Sequence, residues 1–395
     1  MNTISLIYGY SARNAGDFAI TLGAIDILLE CGVQIKLFSR YCARNKDFHE
    51  SKKLIEARYG DKIRLYESPF CLDRTDSKLS TFKNYADGAL TIVGFKRNKF
   101  FRKELLDSDM IIFNGGNLFR CHSFVDFTRL HALMYPLKLA LNKKPFIIFP
   151  QSASKLNNIG KRLLLPILEK AETVYFREKE SYNYIHKFIS DQNFQQTIDL
   201  AFFIKKDGIV ELERFKNKIA ITLRFHTVGD IQYLSPEKII HIKTQIKKIT
   251  QEFSPEQQFI IIVQTDKDEE LSREIATELN IDLYKTNDPI ELLSIYKSCS
   301  LLIGMRLHSI ILALSTGTPC FGIFYNEWGL KNPGLMQYFN MPYFILDNNT
   351  EINSTHLANI SDLFTNKQKY TIEINKIVNS ERSKLLHNLS QFINK

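Results

Sequence analysis

Ile303-Gly304-Met305-Arg306-Leu307-His308-Ser309, followed by Ala313-Leu314-Ser315-Thr316-Gly317-Thr318-Pro319, reads as a strand, a short helix and the start of another strand. The apolar run up to Gly304 is the strand. Gly317 stops the helix, and Pro319 leads into a second apolar strand, Cys320–Tyr325. Parallel α/β sheets bind ligands beyond the carboxyl ends of their strands. Arg306 and His308 stand at such an end. A permanent cation, a group that titrates near neutrality and the N–H groups of a helix start suit an anion that must exchange protons.

The same alternation runs outward in both directions. In the first half, strands are expected near Ile4–Tyr8, Val33–Phe38, Ile63–Tyr66, Met110–Phe113, Phe146–Phe149, Thr173–Phe176 and Gln196–Ile198, with helices between them. The charged segment from Phe203 to Lys216 reads as a linker. A second series follows, near Ile219–Leu223, Phe259–Val263, Asp282–Tyr284, Leu301–Gly304, Cys320–Phe324 and Tyr343–Leu346. Continuous apolar strands separated by helices imply parallel sheets covered on both faces. The expected architecture is therefore two Rossmann-like parallel-sheet domains facing a cleft, GT-B-like, with a C-terminal helical tail. The expected bounds are residues 1–206, 217–350 and 351–395, the tail packing back on the domains.

The 395 residues carry a net charge of +9, and its placement is uneven. Residues 1–200 hold 30 Lys and Arg against 21 Asp and Glu, whereas residues 201–395 hold 22 against 22. The basic half suits phosphates, an acidic glycan or an anionic membrane surface. No apolar run reaches the ~18 residues of a membrane helix. The N-terminus lacks the basic and apolar regions of a signal peptide. Six scattered cysteines without a CxxC pair argue against a disulfide framework and against a cysteine-rich zinc site. A reduced cytoplasmic protein is expected, with no metal and no cofactor.

Candidate ligand residues recur at strand ends. Asn14, Gly16 and Asp17 follow the first strand, where Asp17 is either a helix cap or a functional carboxylate. Asn114-Gly115-Gly116 follows another, and Gln151-Ser152 a third. Arg177 and Arg224 each follow a strand directly and can clamp a carboxylate or phosphate; for Arg177 the competing reading is an ion pair with Glu178 or Glu180. Trp328, the single tryptophan, and Lys331 follow the strand after the Arg306/His308 helix. The basic and aromatic run Phe95–Lys103 could rest on an anionic surface, or be a solvated helix with its aromatics in the core.

In order and spacing these pieces resemble the polysaccharide pyruvyl transferase family. The resemblance rests on Gly16-Asp17, Asp109 with Gly115-Gly116, Arg177 with Ser181, Asp199-Leu200-Ala201, and Met305-Arg306-Leu307-His308, over about Ile4 to Pro342. Three departures stand out. Gln151-Ser152 replaces a family Gly-Pro, Tyr325 and Lys331 lie six residues apart where the family spaces a tyrosine and a lysine by three, and Trp328 takes the position that an ungapped alignment gives to that lysine. The resemblance implies transfer of pyruvate from phosphoenolpyruvate to two hydroxyls of a sugar, forming a ketal, in bacterial surface polysaccharide synthesis. It implies Arg177, Arg306, Lys331 and Arg224 on the donor, His308 as general acid, Asp17 as base, and Asn14, Gly16, Asn114, Gly115, Gly116, Gln151, Ser152 and Trp328 lining the site. A lipid-linked oligosaccharide at the inner face of the plasma membrane is one acceptor that the basic half would suit; nucleic acid is not expected. Two other readings stay open: a glycosyltransferase using a nucleotide-sugar donor, and a non-catalytic basic binding module.

Overall fold

The computed structural model describes residues 2–70, 86, 88–90, 93, 98–189, 193–227, 232–253, 258–347 and 350–393. The chain divides into two compact units. One comprises Met1–Arg13, Asp17–Ile204 and Ser383–Lys395; the other comprises Asn14–Gly16 and Lys205–Arg382.

Described strands of the first unit are β1 (Thr3–Gly9), β2 (Gln34–Ser39), β3 (Ile63–Tyr66), β4 (Met110–Phe113), β5 (Gly116–Cys121), β6 (Phe146–Leu156), β7 (Thr173–Phe176) and β8 (Phe194–Gln196). They form one sheet in the order β3-β2-β1-β4-β6-β7-β8, with β5 also paired to β6. Each pairing is parallel; Ile4 and Ile7 of β1 face Met110 and Phe113 of β4. Four consecutive buried residues in each of β4 and β7 mark strands covered on both faces. The helices are α1 (Ala15–Glu30), α2 (Lys46–Tyr59), α3 (Lys99–Leu106), α4 (Phe124–Ala140), α5 (Asn158–Leu168) and α6 (Lys179–His186). Their starts follow from local chemistry. Asn45, Asn98 and Asn157 accept hydrogen bonds from the backbones of α2, α3 and α5, and Ser123 with Asp126 closes a capping box on α4.

The second unit repeats the plan. Strands β9 (Ile219–Thr222), β10 (Phe259–Val263), β11 (Asp282–Lys285), β12 (Leu301–Gly304), β13 (Cys320–Phe324) and β14 (Tyr343–Ile345) lie in the order β11-β10-β9-β12-β13-β14. Numbered within the unit this is 3-2-1-4-5-6, the doubly wound order whose crossover direction reverses between the first and fourth strands. Those strands are β9 and β12, paired Ile219 to Leu301 through Thr222 to Gly304. The helices are α7 (Pro236–Glu252), α8 (Asp266–Glu278), α9 (Pro289–Ser298), α10 (Leu307–Ser315), α11 (Lys331–Tyr338), α12 (Ser354–Thr365) and α13 (Lys367–Ile393). Thr265 caps α8, while Asp288 and Pro289 start α9. Helix α13 begins in the second unit, and its residues from Ser383 onward belong to the first. There Asn388 donates to Gln195 over 2.7 Å, and the Asn2 amide donates to the Ile393 carbonyl.

Strand β5 is an addition to the expected plan, and β8 is Phe194–Gln196 where Gln196–Ile198 was expected. One chemical expectation is also corrected. Cys31, Cys121, Cys299 and Cys320 are free thiols, but Cys42 is disulfide-bonded. Among the described residues, no helix is long and apolar enough to cross a membrane.

Candidate active site

In the second unit, Arg224, Arg306 and His308 follow the two strands at the reversal point. Strand β12 ends at Gly304, and the Met305 N–H continues the ladder by donating to the Thr222 carbonyl of β9 over 3.0 Å. The Ser309 hydroxyl lies 2.8 Å from the Thr222 hydroxyl and donates to the Arg306 carbonyl over 2.6 Å. These bonds pin the first turn of α10 to the sheet edge. Beyond it, Ile310, Ile311, Leu312, Ala313 and Leu314 are buried without a break. An eight-to-ten-residue helix that is apolar all round is held by its surroundings rather than by its own helix propensity. His308, in that first turn and half-buried, therefore rests on a rigid platform.

Arg306 immediately precedes the helix, and its Nε donates to the Asp268 carboxylate. Asp268 lies in the first turn of α8 and is 2% exposed. The same carboxylate accepts the Phe225 N–H at 3.3 Å and stands 3.4 Å from His226 Nδ1. It thus ties the end of β9 to the end of β12. Arg224 is held by backbone: Nε donates to the His226 carbonyl at 3.1 Å and Nη2 to the Thr227 carbonyl at 2.9 Å. Its guanidinium lies 4.8 Å from the centre of the Trp328 ring.

Trp328 is 7% exposed, with Arg224 over its ring and Tyr325 edge-on at 5.4 Å. With Arg224 over its face, the ring is not an open platform on which a sugar could stack. Gly329, in the left-handed region at φ 81°, turns the chain before α11 begins at Lys331. The longer spacing from Tyr325 to Lys331 is thus taken up by one short turn. Lys238 of α7 also approaches: its Nζ is 2.5 Å from Glu327 and 5.1 Å from the Tyr325 ring centre. Among the described residues, Trp328 Nε1 and Asn332 Nδ2 are buried donors without a hydrogen-bond partner. Both lie next to or within the start of α11.

Asn14–Gly16 pack with this second unit. A Cβ on Gly16 would stand 2.2 Å from His308 Nδ1. Only glycine permits so close an approach. Asn14 is exposed and its Oδ1 accepts the Gly16 N–H at 3.2 Å.

The strand ends of the first unit use similar residues differently. Arg177, at the end of β7, has a side chain only 7% exposed. Its Nε donates to Ser152 at 2.6 Å and to Glu178 at 3.2 Å, and Nη1 donates to Asp199 at 2.5 Å. Burial alone would lower its pKa, but Asp199 and then Glu178 outweigh burial and raise it, so it is a permanent cation inside a cage. Glu178 also accepts the hydroxyls of Ser152 and Ser181. Arg177 is therefore enclosed by its ion pairs, as the competing reading of an ion pair with Glu178 expected. Asn114 and Gln151 are fully buried and joined: Gln151 Nε2 donates to the Asn114 carbonyl, and Asn114 Nδ2 donates to the Tyr8 carbonyl at 3.1 Å. Gly116, at φ 138°, has the Tyr10 hydroxyl where a Cβ would sit, 2.0 Å away. That hydroxyl donates to the Gly115 carbonyl at 2.9 Å, and burial raises its pKa far above the usual tyrosine value. Asn114, Gly115, Gly116, Gln151 and Ser152 thus build the interior behind the sheet edge, where a lining surface was expected.

Asp17 borders open space. It is half-buried and lines a cavity of about 270 Å³ with Tyr10, Arg40, Asn117, Arg120 and Arg129. In the basic and aromatic run, residues 95–97 lie outside the described residues. Farther along that run, Phe101 is buried in α3 against Phe38 and Phe100 is exposed.

A family profile described as polysaccharide pyruvyl transferase matches residues 14–327. The chain belongs to the polysaccharide pyruvyl transferase family. A stretch of 93 residues is 28% identical to the amylovoran biosynthesis protein AmsJ of Erwinia amylovora, covering 24% of this chain and 22% of that protein. The chain thus spans about a fifth of the length of that curated relative. Among solved structures, HepE of Anabaena, in complex with UDP and glucose, superposes with a TM-score of 0.53 at 14% identity, covering 100% of this chain and 98% of that one. UDP-GlcNAc 2-epimerase of Neisseria meningitidis superposes with a TM-score of 0.56 at 11% identity, covering 99% and 100%. At such identities the likeness is one of fold, and it agrees with two Rossmann-like units of GT-B type. Within this member of the family, the Arg177…Ser181 and Asp199-x-Ala201 elements serve the buried cage, while Met305-Arg306-Leu307-His308 occupies the reversal point.

Asp268 and Lys238 escaped the sequence reading. Asp268 lies 38 positions from Arg306, among Asp266 and Glu269, and looks like ordinary acidic charge at a helix start.

Proposed function

We propose that this family member transfers pyruvate from phosphoenolpyruvate to two hydroxyls of a sugar as a ketal, in the synthesis of a bacterial surface polysaccharide. The observation that carries this reading is the placement of His308, Arg306 and Arg224 together at the reversal point of the second sheet, in a chain of this family. Phosphoenolpyruvate carries about three negative charges near pH 7 and needs several cations. Arg306, held by Asp268, and Arg224, held by backbone carbonyls, are oriented cations, and Lys331 starts a helix after the neighbouring strand. The buried donors Trp328 Nε1 and Asn332 Nδ2 suit further oxygens of such an anion.

The chemistry follows in balanced steps. His308 delivers a proton to the methylene carbon of the enol, leaving an oxocarbenium-like C2. A sugar hydroxyl adds to C2 and gives its proton to a base, for which Asp17 is the candidate. The C2–O bond to phosphate then breaks, inorganic phosphate leaves with its electron pair, and a second hydroxyl closes the ketal as its proton departs to solvent. A placed acid or base contributes ~10²–10⁴-fold, and preorganised cations on the developing phosphate contribute at least comparably.

A second reading, transfer of a sugar from a nucleotide donor, has the fold likeness to HepE with its UDP and glucose in its favour. Incubating the protein with phosphoenolpyruvate and a panel of glycosides, and in parallel with sugar nucleotides, separates the two. The proposal expects inorganic phosphate and a pyruvate-bearing glycoside from the first set; free nucleotide from the second set alone would overturn it.

A further inference from the structure

His226, four residues past the end of β9, takes no part in the proton transfers proposed for the site. It is 5% exposed, and its Nδ1 makes no hydrogen bond within normal limits. A buried polar atom in that state is costly unless a complementary group faces it. Asp268 does: Nδ1 stands 3.4 Å from one carboxylate oxygen, while Arg306 Nε donates to the other. A lone pair on Nδ1 would repel that oxygen, so the ring carries a proton there. Tyr233 packs against the imidazole, ring centres 4.2 Å apart.

The backbone around His226 is also paired. The Leu234 N–H donates to the Phe225 carbonyl over 2.7 Å and the Thr227 N–H to the Gln232 carbonyl over 2.9 Å, with His226 opposite Tyr233. The carbonyls of His226 and Thr227 are the ones that hold the Arg224 guanidinium. This paired segment is tied to the first turn of α8 by the Phe225 N–H and by His226, both against Asp268. One buried carboxylate thus reaches Arg306 directly and Arg224 through the backbone that His226 anchors. We infer that His226 is a positioning residue of the donor site: its Nδ1–H locks residues 225–227 against Asp268 and so sets the directions of Arg224 and Arg306 together. Which anion the two cations meet rests on the pyruvyl-transfer reading; the positioning does not.

The test is a set of double-mutant cycles, read by equilibrium titration of the full chain with phosphoenolpyruvate and, in parallel, with UDP. His226→Leu should weaken binding about tenfold, the usual size for a lost hydrogen bond to a charged group. His226→Asn, whose amide nitrogen falls where Nδ1 stood, should return the affinity to within about threefold of the parent. In the Arg306→Gln and Arg224→Gln backgrounds, His226→Leu should weaken binding only about threefold or less, because residues that act through one another are not additive. Unchanged melting temperatures show that the variants fold. Should His226→Leu not fold, His226→Gln, whose amide reaches the Nε2 place instead, takes its part in the cycles. The same tenfold loss in all three backgrounds is the signature of a merely structural residue and overturns the inference, as does His226→Asn binding no better than His226→Leu. Coupling seen with UDP, in a protein that does not bind phosphoenolpyruvate, upholds the positioning role and counts against the pyruvyl reading. Binding of neither anion overturns both.

Discussion

Arg177 and Arg306 look alike in sequence, since each follows a buried strand and precedes a helix. Arg177 has two carboxylates and a hydroxyl around a side chain 7% exposed. Arg306 donates to the Asp268 carboxylate, and its side chain is 16% exposed. The first is enclosed at the end of β7; the second is tethered at the end of β12 and, in the proposed function, is an oriented cation for the donor. The difference lies in their partners, which come from distant parts of the chain: Asp199 lies 22 positions from Arg177, and Asp268 lies 38 from Arg306.

Breaking each side of the comparison should give different kinds of damage. Arg177→Ala leaves Asp199 buried without its cation and should cost about 3–5 kcal/mol, much of a typical stability of ~5–15 kcal/mol. Thermal melting should show a large drop or no folded protein. Arg306→Gln should melt within a few degrees of the parent and instead lose turnover. Equal melting losses in both would erase the distinction.

His308→Ala should lower kcat by ~10²–10⁴ with an unchanged circular dichroism spectrum. Gly16→Ala should act in the same direction, because its Cβ would displace the His308 ring. Full activity in both variants would remove His308 from the mechanism.

Gly116→Ala sharpens the contrast from the first unit. A side chain at φ 138° and in the place of the Tyr10 hydroxyl should cost about 1–3 kcal/mol of stability. Urea midpoints measure it, and KM for donor should stay at the parent value. Smallest is Asp268→Asn, which keeps the shape but removes the charge that orients Arg306. About a tenfold rise in KM for phosphoenolpyruvate, with kcat less affected, is expected. A fall in kcat alone would place Asp268 elsewhere in the mechanism.

Much of the fold was readable because parallel strands are unbroken apolar runs. Met110–Phe113, Thr173–Phe176, Phe259–Val263 and Cys320–Phe324 begin and end where hydropathy places them. Strand β5 escaped because Asn117 and Arg120 interrupt its run and stay exposed. Helix α2 fills the expected place between β2 and β3, although its 14 residues are mostly polar, with only Phe48, Ser51, Ile55 and Tyr59 buried. At the candidate site, the position of Arg306 and His308 after β12 was legible, and so was the Arg177–Glu178 ion pair as one of two readings. The Arg177–Asp199 pair and the burial of Asn114 and Gln151 were not, because long-range pairing and burial are not local. The three arginines of the Asp17 cavity come from residues 40, 120 and 129, and no spacing rule would join them.

The most direct test of the central claim is the release of inorganic phosphate from phosphoenolpyruvate in the presence of a glycoside panel, followed with the parent protein and His308→Ala side by side. Phosphate and pyruvylated glycoside should appear in equal amounts with the parent and fall together in the variant. Release of nucleotide from a sugar nucleotide, with none of phosphate from phosphoenolpyruvate, would contradict it.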